Sequence, residues 1–250
     1  MKWNTNLYDN KHEFVSQYGQ DVVELLSPKE GELILDLGCG TGDLAAVIRD
    51  RKATVIGIDS SPDMIETASK KYPDIQFEVK SATDFTYEQK FDAIFSNATL
   101  HWVLDYKKAI ACIYDNLKEN GGRFVAEFGG KGNVASIIDA LKSTLRNKGY
   151  ISNAEKTVWY FPSLPAYTSL LEEAGFRVTF AAHFDRPTLL QDGHGLKNWL
   201  RMFATSYLAG LSNDVVETVL QDVEDQLRET NLKDGAWYAD YVRLRVVASK

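Results

Sequence analysis

Cysteine is nearly missing from this chain. Only Cys39 and Cys112 occur in 250 residues, too few for a disulfide framework or a four-cysteine zinc site. No apolar run approaches the length needed to cross a bilayer. The opening residues, MKWNTNLYDNKHEF, lack the apolar centre of a signal peptide. Positive charge is short as well: 28 Lys and Arg against 35 Asp and Glu leave a net charge of −7. That balance gives no general attraction to nucleic acid or to an anionic membrane surface, although a local basic pocket is compatible with it. Internal repeats and low-complexity tracts are absent. A cytoplasmic protein is the plain expectation. What is present is ordinary globular material, 44% hydrophobic and 25% charged, enough for a core without cross-links. One domain over 1–250, with room for an insertion, is expected.

Strand-like runs recur at 33–37 (LILDL), 53–59 (ATVIGID), 75–79 (IQFEV), 91–96 (FDAIFS) and 122–128 (GRFVAEF). Helical periodicity fills the gaps. Ser61 can cap a helix running to Tyr72, with Pro62 in its first turn. A second helix runs from Tyr106 to Leu117 and stops before Gly121-Gly122. This alternation predicts an α/β fold, a doubly wound and mostly parallel sheet with helices on both faces. Further on, Val134–Gly149 and Leu164–Ala174 read as helices and 177–184 (RVTFAAHF) as a strand. From Leu189 to Leu232 only two helices rich in Leu, Trp, Phe and Tyr are indicated. The closing 241–249 (YVRLRVVAS) alternates like a strand. A helical insertion, 189–235, therefore separates the last two strands.

The most informative stretch is LILDLGCGTGDLAAVI, Leu33 to Ile48. It reads as a buried strand, a tight glycine loop and a helix starting near Asp43. Glycines at such a turn let backbone approach a nucleotide-like ligand. Two readings compete. Gly40, Gly42 and Ala45 fit the dinucleotide pattern G-x-G-x-x-A, and Asp59 follows Gly42 by 17 residues, near the place of a ribose-binding acid. That reading gives an NAD enzyme. The other takes Asp36 to Gly42 as one unit, D-x-G-x-G-x-G.

On that unit the chain resembles motif I of the class I S-adenosylmethionine-dependent methyltransferases. The likeness continues through GIDSSPDMIETA (57–68), FDAIFSNATLHWVLD (91–105), LKENGGRFVAEF (117–128) and the closing strand pair. In detail it is similar to the trans-aconitate methyltransferase branch, with SNATLHW among the telling parts. The resemblance implies a Rossmann-like sheet of seven strands in the order 3-2-1-4-5-7-6, with a helical lid inserted before the last strand. It implies S-adenosylmethionine as cofactor, no metal, and a small-molecule acceptor, with a carboxylate oxygen as the first expectation and a hydroxyl oxygen, nitrogen or carbon left open. A cofactor-binding protein with a degenerate active site is the non-enzymatic alternative. Oligomeric state, monomer or homodimer, is left open.

The same resemblance assigns residues. Gly38, Gly40 and Gly42 would line the cofactor, and Asp59 would accept from both ribose hydroxyls. Asp36 would order the loop or face the amino-acid end. Adenine would lie between Ser60 and Met64 on one side and Ser81-Ala82-Thr83 on the other. The family often has an aspartate where this chain has Ser81; Asp84 is the alternative partner. Asn97 would hold the methionine amine through its carbonyl, and Leu100 would pack beside the methionine chain. An N-terminal helical segment, 1–30, with Trp3, Tyr8, His12, Phe14 and Tyr18, would fold over the cofactor or simply pack on the sheet; Tyr18 is its candidate contact.

His101 and Trp102 are the candidate catalytic residues. His101 stands where the branch tends to carry glutamine, and three roles are open: donor to a substrate carboxylate, base for a hydroxyl, or packing. Trp102 is a pocket wall or a core anchor. His194, Trp199, Arg201, Met202, Phe203 and Tyr207 fall in the insertion, as lid or core. Lys131, His183 and Arg186 are candidate cations near the mouth or plain surface residues. Cys39 reads as a small loop filler.

Overall fold

The computed structural model describes residues 13–190 and 195–250, with side chains from Gly19 onward. Helix α1 (Glu13–Leu26) precedes strand β1 (Leu33–Leu37). Then follow α2 (Asp43–Asp50), β2 (Thr54–Asp59), α3 (Pro62–Lys71), β3 (Gln76–Val79), β4 (Ala93–Asn97), α4 (Tyr106–Asn116) and β5 (Arg123–Gly129). The remaining elements are α5 (Ala135–Asn147), α6 (Ile151–Ala154), α7 (Leu164–Glu173), β6 (Arg177–Leu190), α8 (Gly195–Phe203), α9 (Thr205–Leu208), α10 (Asn213–Asn231), β7 (Leu232–Lys233) and β8 (Ala236–Ser249).

The strands form one sheet in the order β3-β2-β1-β4-β5-β8-β6. This is the order that the resemblance implies, with β8 as the closing strand. β1 runs parallel to β2 and β4, β2 to β3, and β4 to β5. An eighth strand not foreseen, the two-residue β7, pairs antiparallel with β8. Strand alternation divides the core. Leu35, Leu37, Ile94, Phe124 and Phe128 face α4 and α7, where Ile110, Ile113, Tyr167 and Leu171 cover them. Ile34, Phe95 and Val125 face α1 and α2, meeting Val22, Leu26, Ala45 and Ile48. Both faces are covered, so the sheet is doubly wound.

Two compact units share the chain. One comprises the stretch ending at Gly130, Trp159–His183 and Leu244–Lys250; the other comprises Lys131–Val158 and Phe184–Arg243. In the second, α5 and α10 pack together, with Gln226 donating to Thr144 at 2.7 Å. Leu196, Trp199, Leu200, Phe203 and Tyr207 are buried within it. Strand β6 runs on to Leu190, past the end that its apolar alternation suggests. Pro187 suits this place because β6 is the last strand of the sheet, where an edge N–H can be missing.

Candidate active site

The glycine loop leaves the C-terminal end of β1, and its glycines are there for different reasons. All three have positive φ: 77° at Gly38, 55° at Gly40 and 85° at Gly42. A Cβ on Gly38 would lie 2.1–2.6 Å from the Thr99 side chain, and one on Gly42 would lie 2.7 Å from Phe77. These two are glycine because protein fills the space. At Gly40 a Cβ would meet nothing within 4 Å. Backbone is therefore bare at Gly40, toward open space, as a cradle for a ligand requires.

Asp59 ends β2 and spans this cradle. Its carboxylate accepts from the N–H of Gly40 at 3.1 Å and of Ser61 at 2.8 Å. Burial raises its pKa, while those backbone donors and that of Ser60 pull it back. A carboxylate offers about four lone-pair sites, so two backbone bonds leave capacity for hydroxyl donors. Asp36 contrasts with it. It is 2% exposed, and its Oδ2 is buried with no hydrogen-bond partner. Burial, reinforced by the charge of Asp59, pushes its carboxyl up to about 7. Of the two roles open to Asp36, loop ordering gains nothing from Oδ2. Cys39 is buried and its thiol is pushed well up, as befits a loop filler.

On the far side of β2, Ser61 caps α3, its Oγ accepting from the N–H of Met64 at 3.4 Å. Met64 is buried and Ser60 exposed. Ser81, Ala82, Thr83 and Asp84 form a turn closed by the Asp84 N–H to the Ser81 carbonyl at 3.1 Å. Ser81 Oγ pairs with Thr83 Oγ1 at 2.9 Å, and Asp84 is exposed.

Strand β4 delivers the third part. Asn97 is buried at its end, Ala98 takes a left-handed φ of 56°, and Thr99 Oγ1 donates to the Gly38 carbonyl at 3.1 Å. Leu100–Trp102 then makes one 3₁₀ turn. Leu100 and His101 are buried, Trp102 half-buried. His101 Nδ1 accepts from the Gly129 N–H at 3.4 Å, which places the ring proton on Nε2. Two residues missed from sequence, Trp159 and Phe161, lie against this turn: Trp159 meets Trp102 with ring centroids 5.4 Å apart, and Phe161 meets His101 at 5.7 Å. Gly19 was also missed. A Cβ there would strike Leu44 at 2.5 Å and Asn97 Nδ2 at 3.1 Å, so α1 passes against both. Only a glycine amid a helical pattern could have signalled such an approach.

The other candidates are dispersed. His183 lies over Gly130, its ring 2.7–2.8 Å from a Cβ built there. Lys131 and Arg186 belong to the second unit, as do the insertion residues. Trp199, Phe203 and Tyr207 are core residues of that unit, Trp199 donating to the Tyr241 hydroxyl at 2.7 Å. Met202 is half-buried, and Arg201 is exposed and paired with Glu217 at 2.6 Å. Trp3, Tyr8, His12 and His194, and the side chains of Phe14 and Tyr18, lie outside the described residues. Among the described residues, no group of three or more His, Cys, Asp or Glu could hold a metal ion, and no helix is long and apolar enough to cross a membrane.

Comparison with known proteins identifies the family and the fold. Residues 11–180 match the model of a methyltransferase domain family. The Schizosaccharomyces pombe protein named "Uncharacterized methyltransferase C70.08c" is 33% identical over 260 residues, covering 99% of this chain and 98% of its own. A trans-aconitate 2-methyltransferase of Deinococcus radiodurans is 26% identical over 259 residues, 100% of this chain and 99% of its own. A solved S-adenosylmethionine-dependent methyltransferase from Mesorhizobium loti has the same fold, with TM-score 0.56 and 18% identity over 92% of this chain and 96% of its own. The chain belongs to the methyltransferase domain family.

Proposed function

We propose that the protein transfers a methyl group from S-adenosylmethionine to a small-molecule carboxylic acid. The observation that carries the cofactor reading is the pair of carboxylates beside the open Gly40 cradle, one of them Asp36 with a buried, unpartnered oxygen. A dinucleotide would bring an anionic pyrophosphate toward Asp36 and Asp59. S-adenosylmethionine brings a sulfonium and an ammonium instead, and needs a diol acceptor rather than a phosphate cradle. Asp59 would hold the ribose, Asp36 the ammonium end, Met64 and the Ser81–Thr83 turn the adenine, and Asn97 and Leu100 the methionine chain. The residues of α1 around Gly19 would cover it.

When bound, the cofactor supplies a sulfonium methyl: a new O–CH₃ bond forms to the carboxylate, the S–CH₃ bond breaks with its electron pair left on sulfur, and ester and thioether are both neutral. No proton moves, so no base is needed. The task left to the protein is alignment. A histidine holding its proton on Nε2 is a neutral donor and can orient one carboxylate oxygen. The relative acting on trans-aconitate supports an acid acceptor. Methyl transfer from labelled S-adenosylmethionine to a panel of acids tests the reading; turnover only with amines or hydroxyls would refute the acid assignment.

Two outcomes are expected. Asp59→Ala lowers the affinity for S-adenosylhomocysteine by about 10- to 100-fold, since charge-assisted hydrogen bonds are lost. Calorimetry checks it, and unchanged affinity would remove Asp59 from the ribose site. His101→Gln, which keeps a neutral donor, retains activity within about tenfold and shows no rise of rate through the histidine range. A base would instead give a loss of about 10²–10⁴-fold and such a limb in the pH profile.

A further inference from the structure

Strands β1 and β4 pair through Ile34–Ala93, Leu35–Ile94 and Asp36–Phe95, and their register ends there. Each then stays with its other neighbour. β1 follows β2 to the pair Leu37–Ile58, and β4 follows β5 to Asn97–Glu127. The strand order also reverses at this point, running to β2 and β3 on one side and to β5 on the other. In an open α/β sheet the ligand crevice lies at such a reversal.

Past the end of the ladder, side-chain hydroxyls of the β4 end take over from backbone donors. Ser96, 1% exposed, donates from Oγ to the Leu37 carbonyl at 2.8 Å. Thr99 Oγ1 serves the next carbonyl of β1, that of Gly38, at 3.1 Å, and also the Asn97 carbonyl at 3.1 Å. The fit is close, since a Cβ on Gly38 would lie 2.1–2.6 Å from Cγ2, Oγ1 and Cβ of Thr99. From the opposite side, the Ile58 carbonyl of β2 accepts from the N–H of Gly38 at 2.7 Å and of Cys39 at 3.0 Å. The planar peptide joining Gly38 to Cys39 is thus held at its N–H by β2 and at its carbonyl by Thr99. Thr99 also opens the turn that carries Leu100, its carbonyl accepting from the Trp102 N–H at 2.9 Å.

We propose that Thr99 is a positioning residue whose hydroxyl sets the separation of the Gly38 and Asn97 carbonyls across the β1–β4 crevice, and so the fit of the cofactor's amino-acid end. The proposal rests on the cofactor reading above, in which that end lies along Asn97 and Leu100. It goes further by naming the group that fixes the two strand ends to each other. The two parts of the threonine side chain have different tasks. The methyl fills the space over Gly38, and the hydroxyl supplies the donor. Valine keeps the shape without the donor, and serine keeps the donor without the methyl.

The test is calorimetric titration of the full-length protein with S-adenosylhomocysteine and with methylthioadenosine, which keeps the nucleoside and the thioether but has no amino-acid end. Thr99→Val is expected to weaken S-adenosylhomocysteine by about tenfold or more and methylthioadenosine by less than about threefold. Thr99→Ser is expected to stay within about threefold for both ligands. Ser96→Ala loses a bond of the same kind inside the sheet. It is expected to lower the urea midpoint yet keep S-adenosylhomocysteine affinity within about threefold, which separates lost stability from lost positioning. Should Thr99→Val not fold, Thr99→Ala carries the same expectation. Unchanged S-adenosylhomocysteine affinity without the hydroxyl, equal weakening of both ligands, or a serine variant as weak as the valine one overturns the proposal and leaves the cofactor reading standing. Wild-type protein that binds neither ligand refutes the cofactor reading, and the proposal with it.

Discussion

Asp36→Asn should make the ligand-free protein more stable at pH 8, by about 4 kcal/mol, and leave its stability nearly unchanged near pH 4. The sign follows from where the proton is held. In the folded chain the Asp36 carboxyl keeps its proton to about pH 7, against an ordinary value of 3.8. Between these values the unfolded chain has released a proton that the folded chain retains. Stability is therefore lost as pH rises through this window, and the full cost is present above it. Burial is the larger cause and the charge of Asp59 the smaller, so Asp59→Asn should ease part of the same penalty. An amide at position 36 removes the charge without emptying the space. The gain comes with a loss, because a neutral group no longer attracts the ammonium end of the cofactor. Urea unfolding of both proteins from pH 4 to pH 8 decides the matter. A stability difference independent of pH would show that Asp36 is ionised in the fold at no cost.

Burial also separates what is legible in the sequence from what is not. LILDLGCGTGD announces a strand, a loop and a helix because each signal is local: an apolar run, glycines, an acid at the helix start. Asp59 and the Ser61 cap are legible for the same reason. Burial of Asp36 is not local. It depends on β1 lying between β2 and β4 in the sheet. Gly19 looks like a helix defect until Leu44 and Asn97 arrive from elsewhere. Trp159 and Phe161 sit in a stretch with no periodicity, and only the bond from Tyr160 to His101 brings them in. The ends of β6 and β8 were missed because partners in the sheet override weak local preference. Asp240 shows this well: within β8 it caps the start of α5 through Ser136, at 2.6 and 2.9 Å.

Glu127→Met should destabilise the protein by about 3–5 kcal/mol, the usual cost of removing one member of a buried ion pair. The Glu127 side chain is 0% exposed, and its Oε2 takes two bonds from Arg245, at 2.6 Å from Nη2 and 2.8 Å from Nε. Arg245 is only 16% exposed, so the single substitution leaves a largely buried guanidinium without this carboxylate. Adding Arg245→Met should return most of the loss, since two apolar side chains of similar volume need no desolvation to be repaid. The location makes this more than a stability question. Glu127 is paired in register with Asn97, and its carbonyl accepts from the Ala98 N–H at 2.8 Å, at the strained φ of 56° that turns the chain toward Thr99 and His101. That carbonyl bond is backbone and survives both substitutions. Chemical denaturation should therefore show the double variant close to wild type, with S-adenosylhomocysteine affinity within about threefold. A double variant as unstable as the sum of the two single losses would mean that Glu127 and Arg245 are held by separate partners, each with its own role. If stability returned but methyl transfer did not, the pair would owe its place to the geometry of the His101 turn and not to folding.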